Sequence, residues 1–227
     1  MMPRQKAFTL LEVLITLVLT ALAMSICFAA FSGISRAWQR GLALADDLNH
    51  GDYVLDQVAQ GLRCAFFPVT AGKKKRYGFI LENNGDGQNA RDAFSWVKTG
   101  GALLRAEEPL RFGTHRVRVS VEPDQEGEPR IVTRAWRPYV NLSSFTPEQI
   151  NPFALADNLS GMDVRVATNR TDEGWEWEHQ WDDDATNHLP LAVEITLYWA
   201  PAEEDQEPVI TKRLVEIPVG ERSWKDK

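Results

Sequence analysis

One carboxylate stands alone in a long apolar segment near the N-terminus. From residue 8 to residue 31, the only charged side chain is that of Glu12. An acidic side chain costs about 2.5–3.5 kcal/mol at the centre of a membrane helix and less near its end. An ionisable residue kept at such a position predicts a functional role and a partner group.

Two other groups of polar residues are candidate metal ligands. Residues 84–89 place Asp86 between two glycines. An EF-hand calcium loop needs carboxylates or amides at alternating positions and a closing Glu, which this segment lacks. We expect a turn here, with a weak calcium site near Asp86 as the alternative. The second group has no zinc-type spacing and predicts a solvated acidic loop; its members are His179, Asp182, Asp183, Asp184 and His188.

Three tryptophans lie close together in the C-terminal half: Trp175, Trp177 and Trp181. Their rings have the size and polarity to stack on a sugar or on a protein partner. Alternation along a strand puts Trp175 and Trp177 on the same face, as a core or a subunit contact requires. We therefore expect these tryptophans in the core or in a subunit interface.

The composition excludes several classes of function. The chain has 227 residues and a net charge of -7, and loss of Arg4 and Lys6 with residues 1–7 would change -7 to -9. An acidic soluble part argues against nucleic acid as the partner. No nucleophile elbow, P-loop, dinucleotide fingerprint or pair of catalytic carboxylates is evident. We expect neither enzymatic activity nor a cofactor.

The two cysteines, Cys27 and Cys64, fall on one predicted helix. At 1.5 Å per residue they are about 55 Å apart, and a disulfide needs Cα atoms less than about 7 Å apart. They cannot pair within one chain. We expect Cys64 to be a small buried apolar residue.

A long helix must position Glu12. The apolar residues 8–31 are enough to span a membrane, which takes about 20 residues. An apolar stripe at helical spacing follows, and Pro68 ends it; the stripe consists of Trp38, Leu42, Ala45, Leu48, Leu55, Val58, Leu62 and Ala65. Four glycines in the helix predict kinks or close packing: Gly33, Gly41, Gly51 and Gly61.

After Pro68, the pattern changes to strands and turns. Strands are predicted from alternation and turn residues at residues 77–82, 117–121, 130–136, 162–167, 175–180, 191–200 and 209–217. Thr146 and Pro147 predict a helix start, residues 153–159 predict a short turn, and the basic residues 73–76 predict a solvated loop. The fold class is α+β, with a long N-terminal membrane-spanning helix packed on a β-rich head of two antiparallel sheets.

The residues around Glu12 resemble the N-terminus of type IV pilins and type II secretion pseudopilins. In that superfamily a peptidase removes a short basic leader before Phe, the new amine is methylated, and the fifth mature residue is Glu. The resemblance implies cleavage by the prepilin peptidase between Ala7 and Phe8, N-methylation of Phe8, and Glu12 as the assembly carboxylate. The chain departs from the family at Ala7, where Gly is usual.

The C-terminal half is similar to the J-type minor pseudopilin of type II secretion. The similarity lies in residues 155–162 before a strand, in Trp175 and Trp181 around a hairpin, and in Leu189-Pro190 before the last strand pair. Residues 55–65 of the helix are similar too. The resemblance implies a structural role at the tip of a periplasmic pseudopilus that helps export folded proteins across the outer membrane. The implied partners are the I and K types, with the H type as a further candidate, and the inner-membrane assembly platform.

These inferences divide the chain into five parts: a prepilin leader at residues 1–7, a transmembrane assembly helix at 8–31, its amphipathic continuation at 32–67, a pilin-like β-rich periplasmic domain at 68–219, and a polar tail at 220–227. Arg4 and Lys6 beside the apolar segment place the N-terminus in the cytoplasm. We expect a single-pass protein of the bacterial inner membrane that is later assembled into the pseudopilus.

Other functions stay open. The chain could be a minor pilin or competence pseudopilin of another pilus-like system, or a membrane-anchored periplasmic binding domain that uses its tryptophan face. An ordinary secretory signal peptide fits less well, because Glu12 lies inside its apolar region and that region is too long. Cleavage of that kind would produce a chain starting at Asp46.

Overall fold

The long helix predicted from the apolar segment is present in the computed structural model. The structure describes residues 9–68, 74–139, 145–182, 188–201 and 208–223. Helix α1 covers Leu10–Arg63. The chain divides into two compact units, Met1–Asp46 and Asp47–Lys227.

The first unit contains the apolar part of α1. Its span Leu10–Leu42 is long and apolar enough to cross a membrane. Hydroxyl groups within this span donate hydrogen bonds to backbone carbonyl oxygens of the preceding turn: Thr16 to Val13 at 2.8 Å, Thr20 to Thr16 at 2.7 Å and Ser32 to Ala29 at 2.9 Å. The helix therefore satisfies these polar groups internally, as a lipid environment requires.

The second unit contains two antiparallel sheets, as predicted. The first sheet has the spatial order β1-β2-β3-β4-β5, with β1 at Ile80–Glu82, β2 at Ala93–Lys98, β3 at His115–Pro123, β4 at Pro129–Trp136 and β5 at Phe153–Ala156. The second has the order β7-β6-β8-β9, with β6 at Leu159–Thr171, β7 at Gly174–Glu178, β8 at Ala192–Trp199 and β9 at Val209–Glu216. Short helical turns connect them: α2 at Lys74–Tyr77 and three 3₁₀ turns at Gly87–Asn89, Pro109–Phe112 and Pro147–Gln149.

The last turns of α1 share one core with both sheets. Their buried side chains are Val54, Leu55, Val58, Ala59 and Leu62. On the sheet side, Val193, Ile195, Leu197 and Trp199 alternate along β8 and are buried, as the sequence pattern predicts. Burial of these apolar faces is the main force that fixes the helix end on the sheets.

Close packing occurs at two of the four helix glycines. A Cβ atom at Gly61 would lie 2.9 Å from Cδ1 of Leu103 and 3.0 Å from Cζ2 of Trp96, and one at Gly51 would lie 2.8 Å from the Thr211 side chain. The prediction of close packing is therefore confirmed at Gly51 and Gly61. At Gly33 and Gly41, an added Cβ would meet nothing within 4 Å.

Side chains of the apolar stripe are buried at Leu55, Val58 and Leu62 and exposed at Trp38, Leu42 and Leu48. One prediction about this region is wrong. Cys64 is exposed rather than buried. The helix ends at Arg63, and Cys64 lies in the exposed turn that follows.

Several strands differ from prediction. Strand β2 was not predicted because all six of its residues are buried, which removes the alternation on which the assignment depended. Residues 153–159 were expected to form a turn, but they contain β5 and the first residue of β6. The predicted strand at residues 77–82 begins only at Ile80, because Tyr77 ends α2. Thr146 precedes a 3₁₀ turn of three residues and makes no side-chain cap bond.

Candidate assembly site at the start of the long helix

Glu12 lies in the first turn of α1 and forms a reciprocal pair with Thr9. The Glu12 backbone N–H donates to the Thr9 hydroxyl oxygen at 3.3 Å, and the Thr9 backbone N–H donates to Oε2 of Glu12 at 3.5 Å. This arrangement is a capping box, in which a threonine and a glutamate three residues later satisfy each other's free backbone donors. Ala7 and Phe8 lie outside the described residues.

The capping box holds the carboxylate where the helix favours negative charge. The first turn carries unpaired N–H groups and the positive end of the helix dipole. Glu12 is therefore stabilised at the N-terminal end of α1 before any second chain is present. Sequence reasoning identified Glu12 but missed Thr9, although the spacing Thr-x-x-Glu before an apolar run is the signal of such a box.

The side chains beside Glu12 are apolar and uncovered. Leu10 is 83% exposed, Leu11 is 69% exposed, and Val13 is also exposed. In water, such a surface is unfavourable by roughly 25 cal/mol per Å². The region around the carboxylate therefore needs lipid or another apolar helix against it.

The turn around Asp86 is anchored by two other carboxylates. Asp92 is fully buried and accepts backbone N–H groups from Asn84 and Val164, both at 2.8 Å. Asp163 accepts the Gly87 N–H at 3.3 Å. Burial raises the pKa of Asp92, while the two backbone hydrogen bonds oppose that rise. Neither anchor was found from the sequence, because no spacing distinguishes Asp92 from a surface aspartate.

The second group of possible ligands is only partly described. His179 lies with its Nδ1 atom 4.0 Å from Oδ1 of Asp163, and His188 places Nδ1 2.8 Å from the Leu189 carbonyl oxygen. Asp183 and Asp184 lie outside the described residues. Within the described ranges, no three His, Cys, Asp or Glu side chains are arranged to hold a metal ion.

The three tryptophans lie in two kinds of environment, the core and the half-buried face of a strand. Trp181 is 5% exposed and belongs to the core, where its backbone exchanges hydrogen bonds with Leu81 at 2.8 and 3.2 Å. Trp175 and Trp177 are half-buried on β7, and guanidinium groups cover their rings. Arg170 lies 5.1 Å from the Trp175 ring centre and Arg165 lies 4.6 Å from that of Trp177. These cation–π contacts occupy ring faces that a stacking ligand would need.

The comparisons with known proteins agree with the geometry at the N-terminus. A family model described as the prokaryotic N-terminal methylation motif matches residues 2–28. Comparison of the chain with curated proteins and with solved structures gives no match. The chain thus carries a type IV pilin-like prepilin signal followed by an apolar helix. These features fit a pilin-like protein anchored in the inner membrane, and the motif implies processing by prepilin peptidase and pilin-like assembly.

Proposed function

We propose that the chain is a J-type minor pseudopilin, a structural part of the pseudopilus tip of a type II secretion system. The observation that carries the proposal is the methylation motif at residues 2–28 on a helix whose last turns pack against two antiparallel sheets. In this role the chain helps to move folded proteins across the outer membrane.

The exposed apolar surface of α1 supports assembly. The span Leu10–Leu42 is long enough to sit in a bilayer, and it can leave the bilayer only if other apolar helices replace the lipid. Other pseudopilins that carry the same kind of N-terminal helix provide that surface. Partner helices, rather than the head of this chain, would then cover Leu10, Leu11 and Val13.

Glu12 would fix the position of this helix along the helices of neighbouring subunits. After cleavage, we expect the new ammonium of Phe8, on the same chain or on a neighbour, to pair with this carboxylate. Such a pair in an apolar setting is selective for position, because an unpaired charge there is costly, while the net stabilisation by the pair itself is small. The capping box holds the Glu12 carboxylate at the helix start, so that part of the ordering is complete before assembly.

The C-terminal half supports the J type in particular. Leu189 is 1% exposed and directly precedes Pro190 and strand β8. Trp175 lies on β7 and Trp181 follows it in the core. The strand, hairpin and Leu-Pro entry of the J-type pattern are therefore consecutive parts of the second sheet and of the core beneath it.

A non-catalytic role is part of this proposal. It is supported by the sequence, in which no catalytic motif is evident. The alternative of a sugar-binding domain is disfavoured by Arg165 and Arg170, which lie over the rings of Trp177 and Trp175. A competence or minor pilin of another system shares every N-terminal feature, so the partners decide between that function and type II secretion.

The deciding experiment is crosslinking in intact cells followed by purification of the full chain. We expect I-type and K-type pseudopilins among the crosslinked proteins, and a Glu12→Ala variant to lose them while it stays in the membrane. Recovery of pilus subunits in their place would support the minor pilin function. Recovery of neither class with the native chain would contradict both.

A further inference from the structure

A lysine and a histidine face each other at the buried ends of two strands. Lys98 is the last residue of β2 and His115 the first of β3, and the two are paired in the sheet register. Both side chains are fully buried. The Lys98 Nζ atom lies 3.3 Å from Nε2 of His115.

The geometry fixes the charge of the pair. Lys98 Nζ donates to the carbonyl oxygens of Gly100 at 3.0 Å and Ala102 at 2.9 Å, so its third N–H points to His115. An ammonium has three donors and no acceptor, so Nε2 of His115 must accept. The ring proton is then on Nδ1, which donates to the Gly113 carbonyl oxygen at 3.0 Å. His115 is neutral in this arrangement.

The surroundings of His115 disfavour its protonation. Burial is the main reason that the pKa of His115 is lowered, and the positive charges of Lys98 and Arg137 lower it further, while hydrogen bonds to the backbone of Gly113 and Leu110 oppose the shift. Burial also lowers the pKa of Lys98 to about 8, and Cys64 opposes this shift by raising the pKa. Arg111, beside Gly101, is a further nearby cation.

The lysine bonds hold a segment that supports the end of α1. Residues 99–104 include Leu103, which is 1% exposed and has a positive φ of 65°. Its side chain packs on Gly61, and its carbonyl oxygen accepts the Thr133 hydroxyl at 2.9 Å. The Thr99 N–H donates to the Cys64 carbonyl oxygen at 3.1 Å. Segment 99–104 therefore touches the last turn of α1 and the residue that follows it.

We propose that Lys98 and His115 form an acid-sensitive latch on the end of α1. When Nε2 of His115 takes a proton from solvent, it becomes a donor facing the Lys98 ammonium. The bond between them is lost and two positive charges are brought together. Segment 99–104 then opens, and its contacts with Gly61 and Cys64 are lost. The latch is independent of the kind of filament in which the protein works.

Hydrogen exchange of the full-length protein in detergent micelles tests the latch. Protection factors for residues 99–104, corrected for intrinsic rates, are compared at pH 7.5 and pH 5.5. When segment 99–104 is open, His115 is exposed to solvent and has the ordinary histidine pKa of about 6.5. Linkage then predicts a loss of protection of up to about tenfold in native protein. If the protection of residues 99–104 in the native protein is the same at both pH values, the proposal is wrong. It is also wrong if all residues of the head lose protection equally at pH 5.5.

Two substitutions sharpen the experiment. In His115→Gln, the amide oxygen accepts from Lys98 and the amide nitrogen donates to Gly113, but the group does not titrate. We expect this variant to keep its protection at pH 5.5. The control His50→Gln changes an exposed histidine on α1 and should keep the acid-dependent loss. A His115→Gln protein that still loses protection in acid would also overturn the latch.

Discussion

The Glu12 carboxylate accepts the backbone N–H of Thr9, and the Thr9 hydroxyl accepts the backbone N–H of Glu12. This reciprocal contact means that Glu12 has two separable properties. It caps the helix through an acceptor oxygen, and it carries a negative charge. Only the charge can pair with the ammonium of Phe8, so substitutions can separate the two.

Glu12→Gln should abolish assembly while preserving the start of the helix. Glutamine can take the same place in a capping box, but it carries no charge. Removal of one partner from a buried ion pair costs about 3–5 kcal/mol, so crosslinks to partner subunits should fall to background. Thr9→Val is the matched control, since it removes the hydroxyl cap and retains the carboxylate. Wild-type crosslinking by Glu12→Gln would refute the pairing.

Gly61→Ala should destabilise the head. An added methyl group would lie 2.9 Å from the Leu103 side chain and 3.0 Å from Trp96, and overpacking of this kind costs about 1–3 kcal/mol. The substitution also disturbs the Gly61 carbonyl oxygen, which accepts the Trp96 indole N–H at 3.0 Å. Urea unfolding followed by tryptophan fluorescence measures the loss. Gly41→Ala, which meets nothing within 4 Å, should not lower stability.

Asp92→Asn should destabilise the turn before β2. Both carboxylate oxygens of Asp92 accept backbone N–H groups, and an amide nitrogen in place of one oxygen would face a donor. A buried unsatisfied donor costs about 1–3 kcal/mol. Asp86→Asn changes an exposed residue in the same turn and should be neutral. Equal thermal unfolding midpoints for the two variants would show that the Asp92 contacts contribute little.

Cys64 gives a test of orientation. It is exposed in the head, whereas Cys27 lies within the span Leu10–Leu42. In spheroplasts, a membrane-impermeant maleimide should label Cys64 from the periplasmic side, and the Cys64→Ser variant should stay unlabelled. Labelling of the native chain only after the membrane is broken would place the head in the cytoplasm and contradict the proposed topology.

The sequence predicted those parts of the fold whose two faces differ in polarity. Strand β8 was found because Val193 and Ile195 alternate with half-buried Glu194 and Thr196. Strand β2 was missed because polar residues such as Ser95 are also buried, there beneath the guanidinium of Arg116, whose Nη1 donates to the Ser95 hydroxyl at 2.9 Å. Local pattern cannot show burial that depends on a distant strand.

The same limit applies to the candidate sites. Glu12 was found because a charge in an apolar segment is visible without any tertiary contact. Lys98 and His115 are 17 residues apart, and no spacing in the sequence shows that a lysine and a histidine meet in the interior. Cys64 was expected to be buried because free cysteines usually are, and the sequence does not show that it follows the last residue of α1, Arg63, and is exposed.

The most direct test of the whole account is mass spectrometry of the N-terminal peptide of the mature protein from native membranes. We predict a chain that begins at Phe8 with one methyl group on its terminal nitrogen, produced in cells that contain the prepilin peptidase and absent from cells that lack it. A mature chain that keeps Met1, or one that begins at Asp46, would contradict the assignment of this protein to pilin-like assembly.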